Sequence, residues 1–517
     1  DHVHDANTSG RKSATHLIMD AWIKGIRSLR VIYYHYIEPK CALELIEAAR
    51  IMEIDLRIGI EFWPLHRDRY ISFIWVSRGL PNLESFLSFL ARPSVIQFME
   101  QGKALEKFQE KYLYRLLDEF NASGRMELCR DLDITMTPVV AEEFLDFVGP
   151  GQPSFQYLGE FIHSKVIKAI QIEISRLKER ETTPEAETHL DRLSKTINDF
   201  MVSDILEQYL DGANFFSGLY DYVKEKEDSA PPRLCVSFCT LLDQVEKLLD
   251  DFRITLNLDR LGPEDVLELL YESYGRINRI EIINLKKYNP LDNEIMLRVN
   301  ELKEAVNQGS ILKLKRIISK IIADVQKHDL HQKQDRLNNL SMILNDINEF
   351  KHMFDARPIK LRIGSDSTGK PGHYGMGFAV LDTLPFRVRK KIRKENGSRL
   401  RLPVNVKTNL CTTTSHPESL SDTIAWIPGI HRLFSTMKRS WIPEFYLLDP
   451  GSKGNLVTLG RSALMGQKNN LVATSDEKSK SKKSFKYLNT PLKNFFKVIV
   501  GFIPAQLCFM LTKEWWL

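Results

Sequence analysis

Short runs of alternating apolar and polar positions along the chain predict strands. Residues 29–36, 55–62, 70–77, 278–285 and 359–363 are rich in β-branched, aromatic and other apolar residues, a pattern typical of half-buried strands. Helical periodicity fills the first intervals between them. The spacing of strand, helix and strand predicts the βα repeat of a parallel sheet or barrel.

Three longer stretches predict helices. Residues 82–146 are rich in Leu and Phe, residues 155–230 predict one long amphipathic helix of mixed charge, and residues 292–327 carry apolar positions at helical spacing. Charge-dense helix faces of this kind are normally solvated. We therefore expect large helical insertions within the α/β fold.

Polar residues that suit metal chemistry stand at the strand ends. His2 and His4 are one residue apart, so on a strand their imidazoles face the same side and can share a metal. His35, Glu61 and Asp366 each end a later strand, where α/β folds place their chemistry. Glu281 and Asn284, near the end of another strand, could reach the same pocket.

The segment from Gly364 to Lys370 is one residue short of a nucleotide-binding P-loop. Its next residue is Pro371, which has neither a hydroxyl group for Mg²⁺ nor an N–H group for phosphate. Asp366 inside the loop would also repel a phosphate group. The sequence therefore favours the metal-site interpretation over a nucleotide loop.

Four segments together resemble the polymerase and histidinol phosphatase (PHP) domain: His-x-His at the start, and strands that end at His35, Glu61 and Asp366. The resemblance implies an α/β fold, a PHP-like distorted β/α barrel with large helical insertions and a C-terminal extension. It also implies hydrolysis of a phosphate ester by a metal-activated water. The metal ligands that it implies are His2, His4, Glu61 and Asp366.

The remaining predicted site residues flank these ligands. His35 and Asp366 are the predicted catalytic residues. The predicted substrate contacts follow the last strand: Ser365, Ser367, Lys370 and His373. The predicted cofactors are divalent metal ions (Zn, Mn, Fe or Mg), and the predicted partner is a small phosphorylated substrate. His66 and His163 are further polar candidates, for which a structural role is the alternative.

The chain departs from the PHP pattern at several positions. Ser9 and Tyr34 stand where the family has acids, and Tyr157 stands where it has a histidine. Ser367 or Thr368 replaces another histidine. The alternative to a phosphoesterase is therefore a catalytically degenerate ligand-binding or scaffold protein attached to the membrane, since a fold can outlast its chemistry.

Composition and charge narrow the class of protein. The chain has 517 residues and a net charge of only +5, and its six cysteines are too sparse for a disulfide framework, which favours a reducing, cytoplasmic location. The basic stretch 387–401 has no interleaved aromatic residue, so it carries no specific signal for nucleic acid. The opening residues show neither an initiator Met nor a signal peptide, and we expect a fragment.

The predicted domains follow these patterns. The barrel begins over 1–80, a helical insertion covers 81–148, and the rest of the barrel with long helical segments covers 149–385. An α/β or irregular region is predicted over 386–474 and a basic flexible linker over 475–493. The apolar segment 494–517 predicts membrane attachment facing the cytoplasm, and a buried or interfacial helix is its alternative.

Overall fold

The computed structural model describes residues 2–78, 80, 83–179, 184–259, 261–286, 288, 293–328, 331–370, 375–394, 399–415, 436–449 and 452–459. The strands in this part of the chain are β1 Ser28–Tyr34, β2 Asp55–Phe62, β3 Leu65–His66, β4 Arg69–Tyr70, β5 Phe73–Ser77, β6 Phe252–Asn257, β7 Ile277–Asn284, β8 Lys360–Gly364, β9 Phe378–Val380, β10 Val404–Ser415, β11 Thr436–Leu447 and β12 Leu456–Thr458.

Six of these strands form the central sheet, in the order β1-β2-β5-β6-β7-β8. β5 runs antiparallel to both of its neighbours, β2 and β6, whereas the other adjacent pairs are parallel. The five strands predicted from the sequence are confirmed, with their ends shifted by a few residues.

The chain's first residues close this sheet into a barrel. Val3 forms a parallel bridge to Val31 of β1 and another to Ser367, just beyond β8. Hydrogen bonds from Val3 N to the Arg30 carbonyl (3.1 Å) and from His4 N to the Ser367 carbonyl (3.1 Å) hold it between the two edges. The predicted fold class, a distorted β/α barrel with large helical insertions, is confirmed.

Helices surround the barrel and build its insertions. They are α1 Ala14–Ile23, α2 Pro39–Ile51, α3 Leu83–Leu90, α4 Pro93–Glu119, α5 Arg125–Leu132, α6 Ala141–Val148, α7 Phe155–Glu179, α8 Pro184–Asp199, α9 Val202–Asp204, α10 Phe215–Glu225, α11 Phe238–Leu248, α12 Pro263–Glu272, α13 Asn293–Gln308, α14 Ile311–Lys327, α15 Lys333–Asn345, α16 Ile347–His352 and α17 Phe386–Lys394. Proline opens α2, α4 and α12 at a position where no N–H donor is needed.

Two of the predicted long helices are broken, which corrects the sequence analysis. The helix expected over 155–230 is divided into α7 to α10, and Asp211 before α10 has the left-handed φ of 48°. The helix expected over 292–327 is divided at Gly309, whose φ is 63°, and Ser310 then caps α14 by accepting the N–H of Lys313. A left-handed residue ends a helix because the next N–H no longer points along the axis.

Apolar side chains fill both faces of the barrel wall. A large cluster packs the sheet against the helices, and a separate cluster of Ile32, Ile74 and Val76 is fully buried. A Cβ atom on Gly59 would approach the side chains of all three. These residues therefore lie on the inner face of the barrel, where β2 leaves room for them.

The described part of the C-terminal region adds two antiparallel pairs, β9 with β12 and β10 with β11. β11 contacts β8, and Val404, Val406 and Leu456 join the large apolar cluster. Among the described residues, no helix combines the length and the apolar character that a bilayer crossing requires. The predicted linker 475–493 and membrane segment 494–517 lie outside those residues, and the predicted domain boundaries stay predictions.

Helix α4 packs closely against the end of β1, and this contact can be tested at Gly102. A Cβ atom there would lie 2.6 Å from the carbonyl oxygen of His35. We expect Gly102→Ala to destabilise the protein by about 1–3 kcal/mol in urea unfolding, although Ala is the better helix former. The matched control is Ala104→Gly at an exposed position of the same helix, which should cost about 1 kcal/mol. A stabilised Gly102→Ala variant would contradict this packing.

Candidate metal centre

The four predicted metal ligands converge at the carboxyl end of the barrel. Nε2 of His2 lies 3.6 Å from Glu61 Oε2 and 3.9 Å from Asp366 Oδ1, and Nε2 of His4 lies 3.2 Å from Asp366 Oδ1. All four residues are at least nine-tenths buried. Two atoms bound to one zinc ion at about 2.1 Å lie about 3.4 Å apart, so these separations suit a shared cation.

His2 is oriented by a carboxylate behind it. Its Nδ1 lies 3.1 Å from Glu281 Oε1, and its Nε2 has no hydrogen-bond partner among the described residues. Burial alone would lower the pKa of His2, but the charges of Glu281 and Asp366 raise it well above the usual value. Because a carboxylate can only accept a hydrogen bond, the ring donates Nδ1–H to Glu281 and turns Nε2 toward Glu61 and Asp366, the arrangement of a metal-binding histidine.

His4 is oriented by the backbone of β1. Its Nδ1 lies 2.9 Å from the carbonyl oxygen of Ile32, which can only accept a hydrogen bond. Nδ1 therefore carries the proton, and in the neutral ring the lone pair is on Nε2, which faces Asp366. Both imidazoles thus present the same nitrogen to the same space.

One carboxylate oxygen of Glu61 accepts hydrogen bonds that hold the side chain in place, and the other faces the candidate metal centre. Oε1 accepts hydrogen bonds from Ser72 Oγ (2.6 Å) and Trp63 Nε1 (3.1 Å), which leaves Oε2 facing His2. Burial would raise the pKa of Glu61, but the hydrogen bonds and charge of His2, together with Ser72, lower it to about 2. The group is therefore a carboxylate at any ordinary pH.

Asp366 is held in the same way from the other side of the barrel. Its Oδ2 accepts from Asn284 Nδ2 at 3.1 Å, and Oδ1 faces the two histidines. Burial would raise the pKa of Asp366, but the charges of Lys286 and His2 hold it well below the usual value. Asn284 also donates to Glu281 at 3.2 Å, so one amide spaces the two carboxylates.

Backbone strain marks the same centre. His2, His35 and Asp366 have φ values of 60°, 61° and 43°, in the left-handed region that residues with a Cβ rarely adopt. Each such residue costs of order 1 kcal/mol or more and persists where the surrounding structure fixes it, commonly at functional sites.

His35 lies beside the centre but outside the converging set. Its ring meets Trp63 edge-on at 4.7 Å between centroids, and both ring nitrogens lack a hydrogen-bond partner among the described residues. Burial and the charge of Arg233 lower the pKa of His35 to about 3. A neutral imidazole of this kind suits a ligand or a hydrogen-bonding group better than a proton shuttle near pH 7.

The predicted substrate contacts have different environments. Ser365 donates its hydroxyl to the His2 carbonyl at 3.1 Å, and Ser367 is buried with its carbonyl bound to His4 N. Lys370 pairs with Glu160 at 2.8 Å and lies 3.3 Å from the ring centroid of Tyr157. His373 lies outside the described residues. Of the four, Lys370 alone presents a described cationic group.

Tyr34 occupies a position at which the PHP pattern has an acidic residue. Its hydroxyl lies 3.4 Å from His4 Nε2 and 3.1 Å from Ser9 Oγ. Burial and the charges of Asp366 and Glu61 raise its pKa well above the usual value, so the phenol stays neutral. It offers a hydroxyl group, rather than a negative charge, to the space beside His4.

The donor set fits a divalent cation. Glu61, Glu281 and Asp366 bring three buried carboxyl groups against two imidazoles whose Nε2 atoms face the same space. Buried negative charge is costly unless a cation neutralises it. Imidazole with carboxylate suits Zn²⁺, Mn²⁺ or Fe²⁺, whereas Mg²⁺ prefers oxygen ligands.

A second group of residues with metal-binding side chains, His66, Asp265 and Glu268, has another explanation. Arg67 holds Glu268 with two hydrogen bonds of 2.6 Å, and Arg336 holds Asp265 at 2.7 Å. These guanidinium groups already neutralise the carboxylates and tie the β3–β4 hairpin to α12 and α15. The other candidate histidine, His163, binds the Phe200 carbonyl at 3.1 Å.

Sequence reasoning selected the candidate ligand side chains that converge here but missed several side chains that support them. Ser72 precedes the reversed strand β5 and reaches Glu61 only because that strand runs antiparallel. Trp63 stands two residues after Glu61, and Lys286 stands two residues after Asn284. Their positions just after the ends of β2 and β7 are the one feature of the sequence that could have pointed to Trp63 and Lys286.

Comparison with known proteins gives no family assignment. No protein-family model matches the chain, and no curated protein does. A Bifidobacterium adolescentis protein provisionally described as a metal-dependent phosphoesterase is similar at a TM-score of 0.34 and 11% identity, over 72% of this chain and 88% of its own. An amidohydrolase from Chromobacterium violaceum, with bound sulfate and no metal, is similar at a TM-score of 0.36 and 11% identity, over 60% of this chain and 82% of its own. Similarity at these scores does not bear on this chain's function.

The carboxylate behind His2 provides a direct test of the centre. We expect Glu281→Gln to weaken zinc affinity about 10–100-fold, because a neutral amide no longer increases the basicity of the imidazole. Competition against a fluorescent zinc chelator measures the affinity. The control is His66→Gln in the second group, which should bind zinc like the wild type. Equal losses in both variants, or none in Glu281→Gln, would contradict the assignment.

Proposed function

We propose that the chain is a metal-dependent phosphoesterase of the PHP type, which hydrolyses a small phosphorylated substrate. The observation that carries the proposal is the convergence of His2, His4, Glu61 and Asp366, within 3.2–3.9 Å at their closest pairs. The same four residues are the metal ligands that the resemblance to PHP domains implies. A bound divalent cation supplies Lewis-acid polarisation of the phosphate and lowers the pKa of a coordinated water.

The chain's own residues have separate tasks in this proposal. Glu281 and the Ile32 carbonyl fix the two imidazoles, while Ser72 and Trp63 fix Glu61. Preorganised ligands of this kind avoid a cost of rearrangement during the reaction. His35, neutral and without a hydrogen-bond partner among the described residues, is free to accept a hydrogen bond from substrate or to become a further ligand.

Lys370 and Lys286 provide the positive charge for a phosphate group. The charge of Lys286 acts on both Asp366 and Lys370. Burial and the charge of Lys286 lower the pKa of Lys370, whereas the charge of Glu160 raises it. Lys286 acts on Asp366, one of the candidate ligands, and also on Lys370, so we expect the two ammonium groups to attract an anionic substrate toward the centre. We assign Lys370 to the substrate phosphate, as predicted from the sequence.

A second function is favoured by Tyr34. Its neutral hydroxyl lies 3.4 Å from His4 Nε2 and can donate a hydrogen bond to the lone pair that a cation needs. On this alternative the protein is a catalytically degenerate PHP-like ligand-binding or scaffold protein, attached to the membrane. Elemental analysis of the purified protein separates the two functions, because only the enzyme requires stoichiometric metal.

The proposed activity is tested with p-nitrophenyl phosphate and added Mn²⁺ or Zn²⁺. We expect Asp366→Asn and His4→Ala to lower kcat/KM by about 100-fold or more, since each removes a charge or lone pair from the cation. The control is His16→Ala, an exposed histidine on α1, which should keep full activity. Thermal unfolding confirms that each variant is folded. Unchanged activity in both ligand variants would refute the proposal.

The role of Lys370 is tested by two substitutions that break the same ion pair. Lys370→Met should raise KM about tenfold by removing a charge-assisted contact to phosphate. Glu160→Gln frees the ammonium group from its 2.8 Å partner, so it should lower KM. If the ion pair only stabilises the fold, both variants will change KM in the same direction.

A further inference from the structure

Helix α17 lies in the most basic stretch of the described chain. From 387 to 401 the sequence contains eight Lys or Arg residues and a single acid, Glu395, which lies outside the described residues. Arg387, Lys390 and Lys391 of the helix are exposed, and none of the three pairs with an acid in the described part of the chain. The helix therefore presents positive charge that no described residue balances.

An aromatic residue lies among these cations. Phe386 begins the helix and is 70% exposed, and Val388 is 42% exposed. With about 100° of rotation per residue, positions 386, 387, 390 and 391 fall on one side of the helix. From the other side, Ile392 packs against the small apolar cluster around β9 and β12. One side of α17 thus attaches it to the protein, and the other presents Phe386 together with the cations.

A second group of exposed apolar side chains lies at the end of α1. Trp22 and Ile23 are 55% and 72% exposed. The only acid of this helix, Asp20, pairs with Lys12 at 2.5 Å and with Lys24 at 2.9 Å. The end of α1 is therefore apolar, and the one negative charge of the helix is already balanced.

The two groups lie at the same end of the barrel. A Cβ atom on Gly377, just before β9, would lie 2.7 Å from Cδ1 of Ile26 and 2.9 Å from Cδ1 of Leu459. Ile26 follows α1 and precedes β1 by two residues. The β9–β12 pair, with α17 packed on it, therefore adjoins the amino-terminal end of β1. The candidate metal ligands lie at the opposite end of the barrel.

We call this surface the basic face. The residues of it on which the proposal depends are Trp22, Ile23, Phe386, Arg387, Lys390 and Lys391.

Charge and side-chain type select the partner of the basic face. Lys and Arg beside exposed Trp, Phe and aliphatic residues are the composition of surfaces that bind the interface of an anionic membrane. A second copy of the chain would bring like charges together. Single-stranded nucleic acid is bound by several aromatic rings along a basic groove, whereas Ile23 and Val388 have no ring on which a base can stack.

We propose that the basic face docks on an anionic membrane surface. Phe386 and Trp22 enter the headgroup level, where aromatic side chains settle, and the cations of α17 contact the lipid phosphate and carboxylate groups. The metal centre, at the other end of the barrel, then faces away from the bilayer. The proposal depends neither on the proposed hydrolysis nor on the predicted membrane segment 494–517.

The experiment measures cosedimentation of the full chain with vesicles. Phosphatidylcholine vesicles with about 30% phosphatidylserine are compared with vesicles of phosphatidylcholine alone. We expect the double variant Lys390→Glu with Lys391→Glu to bind the anionic vesicles at least about tenfold more weakly than wild type. About 0.5 M NaCl should weaken wild-type binding in the same way, because salt screens surface charge. Binding to phosphatidylcholine alone should be the same in both proteins.

The matched control reverses two charges on another helix. Lys315 and Arg316 of α14 are exposed beside Leu312, so Lys315→Glu with Arg316→Glu changes the net charge equally. This variant should bind the anionic vesicles like wild type, and thermal unfolding confirms that each variant is folded. The proposal is overturned if both double variants lose binding equally, or if wild type does not prefer the anionic vesicles. Tighter binding of a single-stranded oligonucleotide than of these vesicles would also overturn it.

Fluorescence quenching locates the contact independently of the segment 494–517. Phe386→Trp should add fluorescence that brominated phosphatidylcholine, mixed with phosphatidylserine, quenches beyond the quenching of wild type. Ile172→Trp, at a 64% exposed position of α7, should add fluorescence that is not quenched. Binding through another segment cannot produce this difference, since the added signal comes from the substituted position alone. Equal quenching of the two added tryptophans, or none at 386, would contradict docking through the basic face.

Discussion

Burial of like charges at both ends of one small barrel is the constraint on which the rest of the structure depends. Glu61, Glu281 and Asp366 place negative charge at the carboxyl end, and the buried side chains of Arg30, Arg279 and Arg362 place positive charge toward the other end. Neither set can be removed from water without a compensating partner. Glu281 connects the two sets, because it binds His2 at the carboxyl end and its charge also acts on Arg30.

The barrel meets this constraint through rigid supports. The candidate metal ligands are held by fixed donors or acceptors: Glu281 behind His2, the Ile32 carbonyl behind His4, and Asn284 beside Asp366. The helical insertion reinforces the same rim. Arg233, which follows α10, donates to the carbonyl of His35 at 3.1 Å, while Gln152 binds both backbone groups of Tyr34. The site is therefore braced by elements far apart in sequence.

Much of the barrel could be predicted from the sequence because its strands obey a local rule. Alternation identified β1, β2, β7 and β8, and the strand ends identified His2, His4, Glu61 and Asp366. The breaks at Asp211 and Gly309 could not be predicted as easily, because helical periodicity continues across a single left-handed residue. Ser72 and the buried Arg279 and Arg362 were missed for another reason. Their positions depend on strand direction and register, which a single strand does not reveal.

The closure of the barrel has a consequence for how the protein is made. Ser365 donates its hydroxyl to the His2 carbonyl across a separation of 363 residues. A ribosome that adds about 5–20 residues per second needs roughly 20–70 s to span that interval. During this time the two histidines emerge long before their carboxylate partners at 281 and 366 exist. The nascent chain therefore exposes bare imidazoles until β8 and the residues that follow it arrive, and the centre can assemble only as a late event of synthesis.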